Sequence, residues 1–516
     1  MKYLCLFVAL IGLGANHLLA QTPQVEWGPN FKQGTHITTR VAGVGADEFY
    51  TYHLTYHQSS NLKFVEKTVK LQRFNHDMVQ TKDGKISLKY QDKNRRLERF
   101  LMLDRRLYMF TSYLAPKERK QILLVEQINL SSMQSQEQPR ELASIDLPIR
   151  DRLGEFDIKV SHDSSKVLVY ANKPSIPGQR ERFSFLVLND QMESLWTLDE
   201  ELPYEDRRFG ISDLKVSNQG QIILSALKTE IEPNEENTSR LQASMKEVHF
   251  LVYLNQGTKR QQYIVELEER KIAAIEIELS PQGELICGGL YGEGEKVGLA
   301  GTFLLRFDTQ TETLLTETYS PFEKRILVQM IGKKAVNKDR SPVSYLLDEM
   351  ILKSDGGVIL IAESFQTQVV SINQDGQFSI RTYYYFGDIL ITNLDKDGNV
   401  NWHKNLEKNQ VSAEDAMYSS YKLMRTPNEL CFIYNDNKRN AKADKKGKHN
   451  LATGKNAVVT LASISVEGDI TKESLIDSND EGVFFIPFLS FQYNNHEMLL
   501  RAEKRRNSRY ARVIFE

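Results

Sequence analysis

The stretch YLLDEMILKSDGGVILIAESF, residues 345–365, is followed by YYYFGDILITNLDKDGNVNWHKNL, residues 383–406. Each half has two short apolar segments on either side of a turn that contains Asp and Gly. Asp355-Gly356-Gly357 and Asp397-Gly398-Asn399 tolerate the positive φ angles that hairpin turns require. The stretch therefore predicts four antiparallel strands joined by hairpins.

The same order of strands and turns recurs along the chain, at a period of roughly 50 to 75 residues. Clear copies lie at 156–198, 211–267, 275–319 and 421–476, and weaker copies fit at 36–90 and 97–147. Helical periodicity is almost absent, which argues against an α/β fold. Three polar stretches, 230–243, 333–340 and 437–455, interrupt the pattern and are interpreted as surface loops.

The C-terminal copy, about 483–515, offers only three strands, and the unassigned segment at about 24–31 can supply the fourth. Radially packed four-stranded sheets expose only short edges, and one blade shared between both chain ends closes the ring. The sequence therefore predicts an all-β protein, a β-propeller of four-stranded antiparallel blades. Eight blades fit best, and seven is the alternative.

The first 20 residues have the order of a secretory signal peptide: Lys2, an apolar run from Tyr3 to Leu13, and Leu18-Leu19-Ala20 at the end. The run is shorter than the roughly 20 apolar residues that a bilayer span needs. We therefore expect a signal peptide at 1–20 and a single propeller domain at 21–516. The expected location is the periplasm, the outer surface or the exterior of a bacterial cell.

The composition excludes some classes of function. The chain has 66 Lys and Arg against 68 Asp and Glu, and removal of Lys2 leaves 65 against 68, so nothing indicates nucleic-acid binding. We expect no membrane span after cleavage, because no later segment has 18 or more consecutive apolar residues. Cys287 and Cys431 remain after loss of Cys5, too few for a disulfide framework, and no disulfide is expected.

The turn from Leu394 to Val400, followed by Trp402, resembles the blades of uncharacterised bacterial exported β-propeller repeat proteins. More loosely, it resembles quinoprotein-like propellers. This resemblance implies a fold and supplies no catalytic residue. The tryptophan-docking repeat of quinone-cofactor propellers is missing, since the chain has three Trp residues, and WD40 dipeptide marks are missing too. No cofactor is therefore predicted.

Aromatic residues of the sixth and seventh copies are the candidate ligand-binding residues: Tyr383, Tyr385, Tyr418 and Tyr421. Tyrosine rings supply contact area at low entropic cost, which suits a carbohydrate or peptide groove. Alternation along a strand sends Tyr383 and Tyr385 to one face and their neighbours to the other. One of these two faces is then core, which is the alternative interpretation.

The run Asp395-Lys396-Asp397-Gly398-Asn399 places oxygen-bearing side chains at alternate positions, as a calcium loop does. An EF-hand loop has glycine at its sixth position, whereas here glycine is the fourth residue. Equivalent positions of other copies hold Asn255-Gln256-Gly257 or Glu467-Gly468-Asp469, which suit a turn. Asp395, Asp397 and Asn399 are thus weak metal candidates, and no metal is predicted.

No Gly-x-Ser-x-Gly turn and no glycine-rich phosphate loop occurs in the chain. The favoured function is a non-enzymatic binding or scaffold protein of the cell envelope or exterior, which uses a propeller face or the central channel mouth. Its partner would be an unknown envelope protein, a peptide or a glycan. The alternative is a secreted propeller enzyme acting on a polysaccharide or peptide, and three or more acids, histidines or arginines converging in the channel would favour it.

Overall fold

The computed structural model describes most of the chain after the expected signal peptide, which itself lies outside the described residues. The described residues are 23–32, 39–58, 64–149, 152–174, 176, 178–205, 209–232, 244–257, 259–293, 298–338, 340–341, 344–374, 377–413, 416–440, 457–477, 483–504 and 507–515. They form a series of antiparallel sheets and two short helices.

The first three blades follow two N-terminal strands, β1 (Gln24–Trp27) and β2 (Phe31–Lys32). Blade one consists of β3 (Arg40–Val44), β4 (Glu48–Gln58), β5 (Phe64–Asn75) and β6 (Gln80–Ser87). A small ribbon, β7 (Lys89–Tyr90) and β8 (Lys93–Asn94), leads to blade two: β9 (Arg96–Leu103), β10 (Arg106–Ala115), β11 (Lys120–Asn129), β12 (Gln134–Ser135) and β13 (Arg140–Asp146). Blade three consists of β14 (Glu155–Val160), β15 (Lys166–Asn172), β16 (Arg180–Asn189) and β17 (Ser194–Glu205).

The next three blades include the longest hairpin. Blade four consists of β18 (Phe209–Val216), β19 (Ile222–Glu232), β20 (Ser244–Asn255) and β21 (Lys259–Val265). Blade five consists of β22 (Arg270–Leu279), β23 (Glu284–Glu293), β24 (Gly301–Asp308) and β25 (Leu314–Pro321). After α1 (Lys324–Ile331) and α2 (Lys333–Val336), blade six consists of β26 (Tyr345–Leu352), β27 (Val358–Gln374), β28 (Gln377–Leu394), β29 (Val400–Leu406) and β30 (Gln410–Ala413).

Two more blades complete the ring. Blade seven consists of β31 (Tyr421–Arg425), β32 (Glu429–Asn437), β33 (Ala457–Ser465) and β34 (Ile470–Asp477). Blade eight consists of β35 (Phe484–Gln492), β36 (Glu497–Lys504) and β37 (Asn507–Ile514), with β1 and β2 paired to β37. Consecutive strands pair antiparallel in the blades, except that β12 and β13 both pair with β11, and β29 and β30 both pair with β28. The predicted all-β propeller fold is therefore confirmed, and the described residues form eight sheets of four or five strands.

The hydrophobic core lies between adjacent blades. For example, Phe185 and Val187 of blade three pack with Leu224 and Phe250 of blade four. These side chains belong to alternating positions of their strands, so one residue in two faces a neighbouring blade. Burial of apolar side chains between blades, at roughly 25 cal/mol per Å² of apolar surface, stabilises this arrangement.

The last blade contacts the first. β1 pairs with β37 from Gln24 opposite Ile514 to Trp27 opposite Ala511. The ring of Tyr510 in β37 lies 5.0 Å from Phe49 and 5.3 Å from Phe74 of blade one, measured between ring centroids. These contacts close the circle of blades.

The structure differs from the sequence interpretation at two places. Residues 333–336 form α2 rather than a loop, and α1 precedes it, with Ile326 buried and Leu327 and Met330 packed beside the core. Helices of eight and four residues are too short to show a helical periodicity in the sequence. The hairpin of β27 and β28 also extends far beyond its blade, and Phe378 near its tip is 79% exposed.

The other two predicted loops lie largely outside the described residues, and the strands before them end within their predicted bounds. β19 continues to Glu232 and β32 to Asn437, while residues 233–243 and 441–456 lie outside the described part of the chain. No described helix combines the length and apolar character required to cross a membrane.

Candidate ligand-binding site

The first strands of neighbouring blades lie side by side around the centre of the ring. β14 contacts β18, β22 contacts β26, and β31 contacts β35. Radially packed sheets approach one another most closely at the centre, so the first strand of each blade is innermost. The side chains of these strands form the wall of the central channel.

A β-bulge at Asp348 changes which side chains of β26 face the channel. The pairing of β26 with β27 skips Asp348, between Leu347 and Glu349. An extra residue breaks the alternation of side chains between the two faces of a strand. Asp348 and Glu349, although adjacent in sequence, therefore line the same cavity.

This channel cavity lies where blades six, seven and eight meet and has a volume of about 530 Å³. Its walls come from β26, β31, the residue before β31, and the end of β35: Asp348, Glu349, Ser420, Tyr421, Lys422, Leu423, Arg425 and Gln492. The lining contains two carboxyl groups, two basic groups, two hydroxyls and one amide. A cavity of this size, with several polar groups that converge, is suited to a small ligand or a chain end.

Asp348 and Tyr421 connect two blades across the cavity. The Tyr421 hydroxyl donates to Oδ2 of Asp348 over 2.8 Å. Although Asp348 is open to the cavity, withdrawal from bulk water raises the pKa of its carboxyl to about 6, and the hydrogen bond from Tyr421 opposes this rise. Burial and the nearby Asp348 raise the pKa of Tyr421, so the phenol remains protonated at neutral pH. Asp348 is thus a carboxyl that gains or loses a proton near neutral pH.

Basic groups complete the lining. The Arg425 guanidinium forms an ion pair with Glu349, and Gln492 accepts a hydrogen bond from the backbone N–H of Arg425 over 3.4 Å. Burial lowers the pKa of Lys422, although Glu349 opposes that effect. The cavity therefore offers positive and negative groups side by side.

A second group of charges lies on the inner strands of blades four and five. The ammonium of Lys215 lies 3.6 Å from Asp213, 3.2 Å from Glu276 and 3.3 Å from Glu278. Burial, and then the charge of Asp213, raise the pKa of Glu276 to about 7, against the effect of Lys215. Burial lowers the pKa of Lys215, but the three carboxylates outweigh it and the net shift is upward. The channel wall thus carries a dense group of charges apart from the cavity.

The four candidate tyrosines are distributed over β28, β31 and the segment before β31. Tyr421 lines the cavity, and Tyr418, three residues earlier, donates to Glu503 over 2.7 Å. Tyr383 and Tyr385 lie on β28, and Tyr385 donates to Gln368 over 2.9 Å on the same hairpin. Of the four, only Tyr421 is among the described residues that line the channel cavity.

The three metal candidates form a turn. Oδ1 of Asp395 accepts hydrogen bonds from the backbone N–H groups of Asp397 and Asn399 over 2.9 and 2.8 Å. Its Oδ2 accepts from the side-chain amide of Asn399 over 3.0 Å. Gly398 has a φ of 85°, which an L side chain rarely adopts. Among the described residues, no group of three or more His, Cys, Asp or Glu is placed to hold a metal ion.

Sequence reasoning missed most of the cavity residues, although one signal was present. Four consecutive blades carry an acidic residue four positions before the first residue of the hairpin turn: Asp157, Asp213, Glu276 and Glu349. In blade seven the position four before Thr426 holds Lys422. A repeated carboxylate at a fixed place in an inner strand points toward the channel wall.

Comparisons with known proteins yield similarities of fold. No protein-family model matches the chain, and no curated protein matches it. A protein of unknown function from Bacteroides caccae is 11% identical, over 72% of this chain and 93% of that one, with a TM-score of 0.27. A quinohemoprotein alcohol dehydrogenase from Pseudomonas putida HK5 is 9% identical, over 96% and 77%, with a TM-score of 0.41. The WD40 domain of SCAP from fission yeast is 10% identical, over 95% and 98%, with a TM-score of 0.32.

Proposed function

We propose that the chain is a binding protein of the bacterial envelope or exterior, and that its channel cavity takes a peptide segment or peptide end. The observation that carries this proposal is the mixed lining of the cavity. Asp348 and Glu349 lie beside Lys422 and Arg425 in one space of about 530 Å³. A peptide end brings a charge together with amide groups, whereas a neutral glycan brings no charge.

A second candidate function is hydrolysis of a peptide or polysaccharide. Two acids, Asp348 and Glu349, and Arg425 converge on the cavity. Three such groups in the channel favour an enzyme. With a pKa raised to about 6 by its withdrawal from bulk water, Asp348 is suited to proton transfer near neutral pH. This candidate uses the same cavity and differs in whether the ligand is altered.

Export is part of the proposal. Residues 1–20 act as the signal peptide, so the mature chain begins near Gln21 and meets its partner outside the cytoplasm. Mass spectrometry of the protein from periplasm and medium tests this step directly. A mature start well before Gln21 would contradict it.

Binding is tested with the mature protein immobilised and exposed to a library of short peptides and to an array of glycans. We expect saturable binding of peptides, reduced at least tenfold in Glu349→Gln and in Arg425→Gln, since each change removes a charge from the cavity lining. The matched control is Asp199→Asn, which removes the carboxylate of a surface ion pair with Lys173, 2.7 Å away. This control should bind peptides as the unchanged protein does.

Several results would decide against a peptide. Binding of glycans without peptides would assign the cavity to carbohydrate. Peptide binding equally strong in all three variants would place the binding surface elsewhere on the propeller. Conversion of a bound peptide or glycan into shorter products would favour the enzyme over the binding protein.

A further inference from the structure

Ser420 combines a cavity position with an unusual backbone. It lines the channel cavity immediately before β31. Its φ is 65°, in the left-handed region that non-glycine residues rarely occupy. Such conformations are strained and cluster at functional sites.

Buried amide groups hold Ser420 in this conformation. Oε1 of Gln410 accepts a hydrogen bond from the Ser420 N–H over 2.7 Å, and its Nε2 donates to the Ser420 carbonyl over 3.3 Å. Gln410 is itself buried, and its Nε2 also donates to the carbonyl of Asn435 over 2.8 Å. Gln410 therefore holds the backbone of Ser420 at both its N–H and its carbonyl, and the Ser420 hydroxyl has a defined position.

A buried carboxylate and a buried ammonium lie behind this hydroxyl. Oγ of Ser420 donates to Oε2 of Glu363 over 2.7 Å. Oε1 of Glu363 lies 2.5 Å from the Lys408 ammonium, and the two side chains are 4% and 0% exposed. Burial lowers the pKa of Lys408, which Glu363 opposes. Hydroxyl, carboxylate and ammonium thus form a chain that runs from the cavity into the protein.

We propose that Ser420 is a nucleophile, that Glu363 is its general base, and that Lys408 positions Glu363. The substrate class is an ester or amide whose carbonyl group enters the channel cavity, and the reaction is acyl transfer to water. The order nucleophile, base and orienting group is the arrangement that activates a hydroxyl for covalent catalysis. This inference uses the cavity of the proposed function but does not depend on which ligand binds there.

The reaction has two stages, acylation of Ser420 and hydrolysis of the acyl-serine. Ser420 Oγ attacks the carbonyl carbon while its proton passes to Oε2 of Glu363. The bond from the carbonyl carbon to the leaving oxygen or nitrogen then breaks, and the leaving group takes the proton from Glu363. Water attacks the acyl-serine ester, gives one proton to Glu363 and releases the acid, and Glu363 returns the proton to Ser420.

Other residues of the cavity suit this reaction. Lys422 and Arg425, in the same lining, supply positive charge for the oxyanion that develops on the carbonyl oxygen. Lys408 balances the charge of Glu363 from the side away from Ser420. It touches neither substrate nor reacting atoms, so it is a positioning residue.

The test is covalent labelling of the mature, folded protein with an alkyl fluorophosphonate, which modifies activated serine hydroxyls. We expect one adduct for each chain, on the peptide that contains Ser420, and no such adduct after heat denaturation. Ser420→Ala should lose this adduct. Ser419→Ala is the matched control, because the Ser419 hydroxyl bonds to Ser412 and not to Glu363, and it should be labelled as the unchanged protein is.

Glu363→Gln keeps the shape of the side chain and removes the base, so the labelling rate should fall by about 100-fold. Circular dichroism and thermal unfolding establish that each variant is folded at the labelling temperature. If Glu363→Gln does not fold, the adduct site in the unchanged protein and the comparison of Ser420→Ala with Ser419→Ala decide. No adduct at Ser420 in the folded protein, or an unchanged rate in a folded Glu363→Gln variant, would overturn the proposal. Peptide binding without labelling would overturn it and leave the binding function standing.

Discussion

The hydroxyl of Tyr421 donates a 2.8 Å hydrogen bond to Oδ2 of Asp348, so the first strand of blade seven is tied to the bulge in the first strand of blade six. The contact lies at the channel wall, where the ion pair of Arg425 and Glu349 joins the same two strands. It orients the one carboxyl of the cavity whose pKa is raised to about 6, by its withdrawal from bulk water.

Tyr421→Phe removes this donor and leaves the ring in place. We expect a loss of about 1 kcal/mol in the free energy of unfolding, the usual contribution of one hydrogen bond. The pKa of Asp348 should rise above its present value, because the hydrogen bond from Tyr421 lowers it. Urea denaturation measures the first effect, and NMR titration of the Asp348 carboxyl carbon measures the second.

Tyr385→Phe is the control, since it removes a tyrosine hydroxyl that bonds to Gln368 on an exposed part of the hairpin. It should change stability by less than about 0.5 kcal/mol. Equal losses of unfolding free energy in both variants would show that the Tyr421 hydrogen bond contributes no more to stability than the exposed one of Tyr385.

The blades could be predicted from sequence because each hairpin turn is specified by the few residues that form it. At Asp355-Gly356-Gly357 and at Asp397-Gly398-Asn399, the apolar alternation stops and the turn residues accept positive φ at Gly356 and Gly398. No information from distant parts of the chain is needed for such a turn. The extension of the β27–β28 hairpin was less predictable, because its exposed apolar residues Val369, Phe378 and Ile380 give the same sequence pattern as a strand inside a blade.

The cavity could not be predicted in the same way. It depends on the bulge at Asp348, and a bulge has no fixed sequence signal. It also combines residues such as Glu349, Arg425 and Gln492 from three blades, whose approach is set by the closed ring. The sequence offers Tyr421 and Tyr385 equally as candidate ligand-binding residues, and only the fold places one at the cavity and the other on the hairpin.

Stability should depend on pH through Glu276, whose pKa burial raises to about 7. Between about pH 4.5 and pH 7 the folded state holds a proton that the unfolded state has lost, so the free energy of unfolding falls as pH rises. Glu276→Gln keeps the group neutral at every pH. We expect a shallower fall of stability between about pH 4.5 and pH 7, measured by urea denaturation at each pH.

The sign of this effect is the decisive feature. Relative to the unchanged protein, Glu276→Gln should gain stability as pH rises, because only the unchanged protein must ionise a buried carboxyl. Asp348→Asn tests Asp348 in the same way over about pH 4 to pH 6. Identical slopes in Glu276→Gln and the unchanged protein would show that Glu276 titrates as it does in the unfolded chain.

Deletion of residues 21–32 removes β1 and β2 from the last blade and exposes the edge of β37. We expect a lower thermal midpoint and aggregation through the open edge. In the full mature chain, Trp27→Ala alone should cost about 2 kcal/mol, since the half-buried indole packs on the core and the Arg509 guanidinium lies 3.7 Å from its ring centroid. Phe488→Ala, which removes a 63% exposed ring of the same blade, is the control and should cost under about 0.5 kcal/mol.

Substitutions in the Asp395 turn distinguish a role in holding the backbone from a role in binding a metal. Asp395→Ala should lower stability by about 1 kcal/mol, because two backbone N–H groups lose their acceptor. Asp397→Ala is the matched control, since the carboxylate of Asp397 receives none of these hydrogen bonds, and it should have little effect. A rise in thermal midpoint on addition of Ca²⁺, abolished by both substitutions, would instead assign the turn to calcium.

The buried pair of Lys408 and Glu363 offers a test of the interior behind the cavity. Lys408→Met leaves the Glu363 carboxylate buried without its counter-charge, which usually costs about 3 to 5 kcal/mol. The double variant Lys408→Met with Glu363→Leu removes both charges and should recover most of that loss, since apolar replacement of a whole buried pair is often neutral. Guanidinium denaturation of both single variants and the double variant gives the coupling between the two groups.

Lys173→Met is the surface control for this cycle. Its partner Asp199 is 79% exposed, so loss of the ion pair should cost less than about 1 kcal/mol. If Lys408→Met is as mild as Lys173→Met, water reaches Glu363 and the interior is more open than its burial indicates. If the double variant is as unstable as Lys408→Met alone, the loss comes from packing rather than from an uncompensated charge. A strong positive coupling energy between Lys408 and Glu363 would mean that the Lys408 ammonium holds the Glu363 carboxylate in position behind the cavity. In that position the carboxylate accepts the hydrogen bond from Ser420.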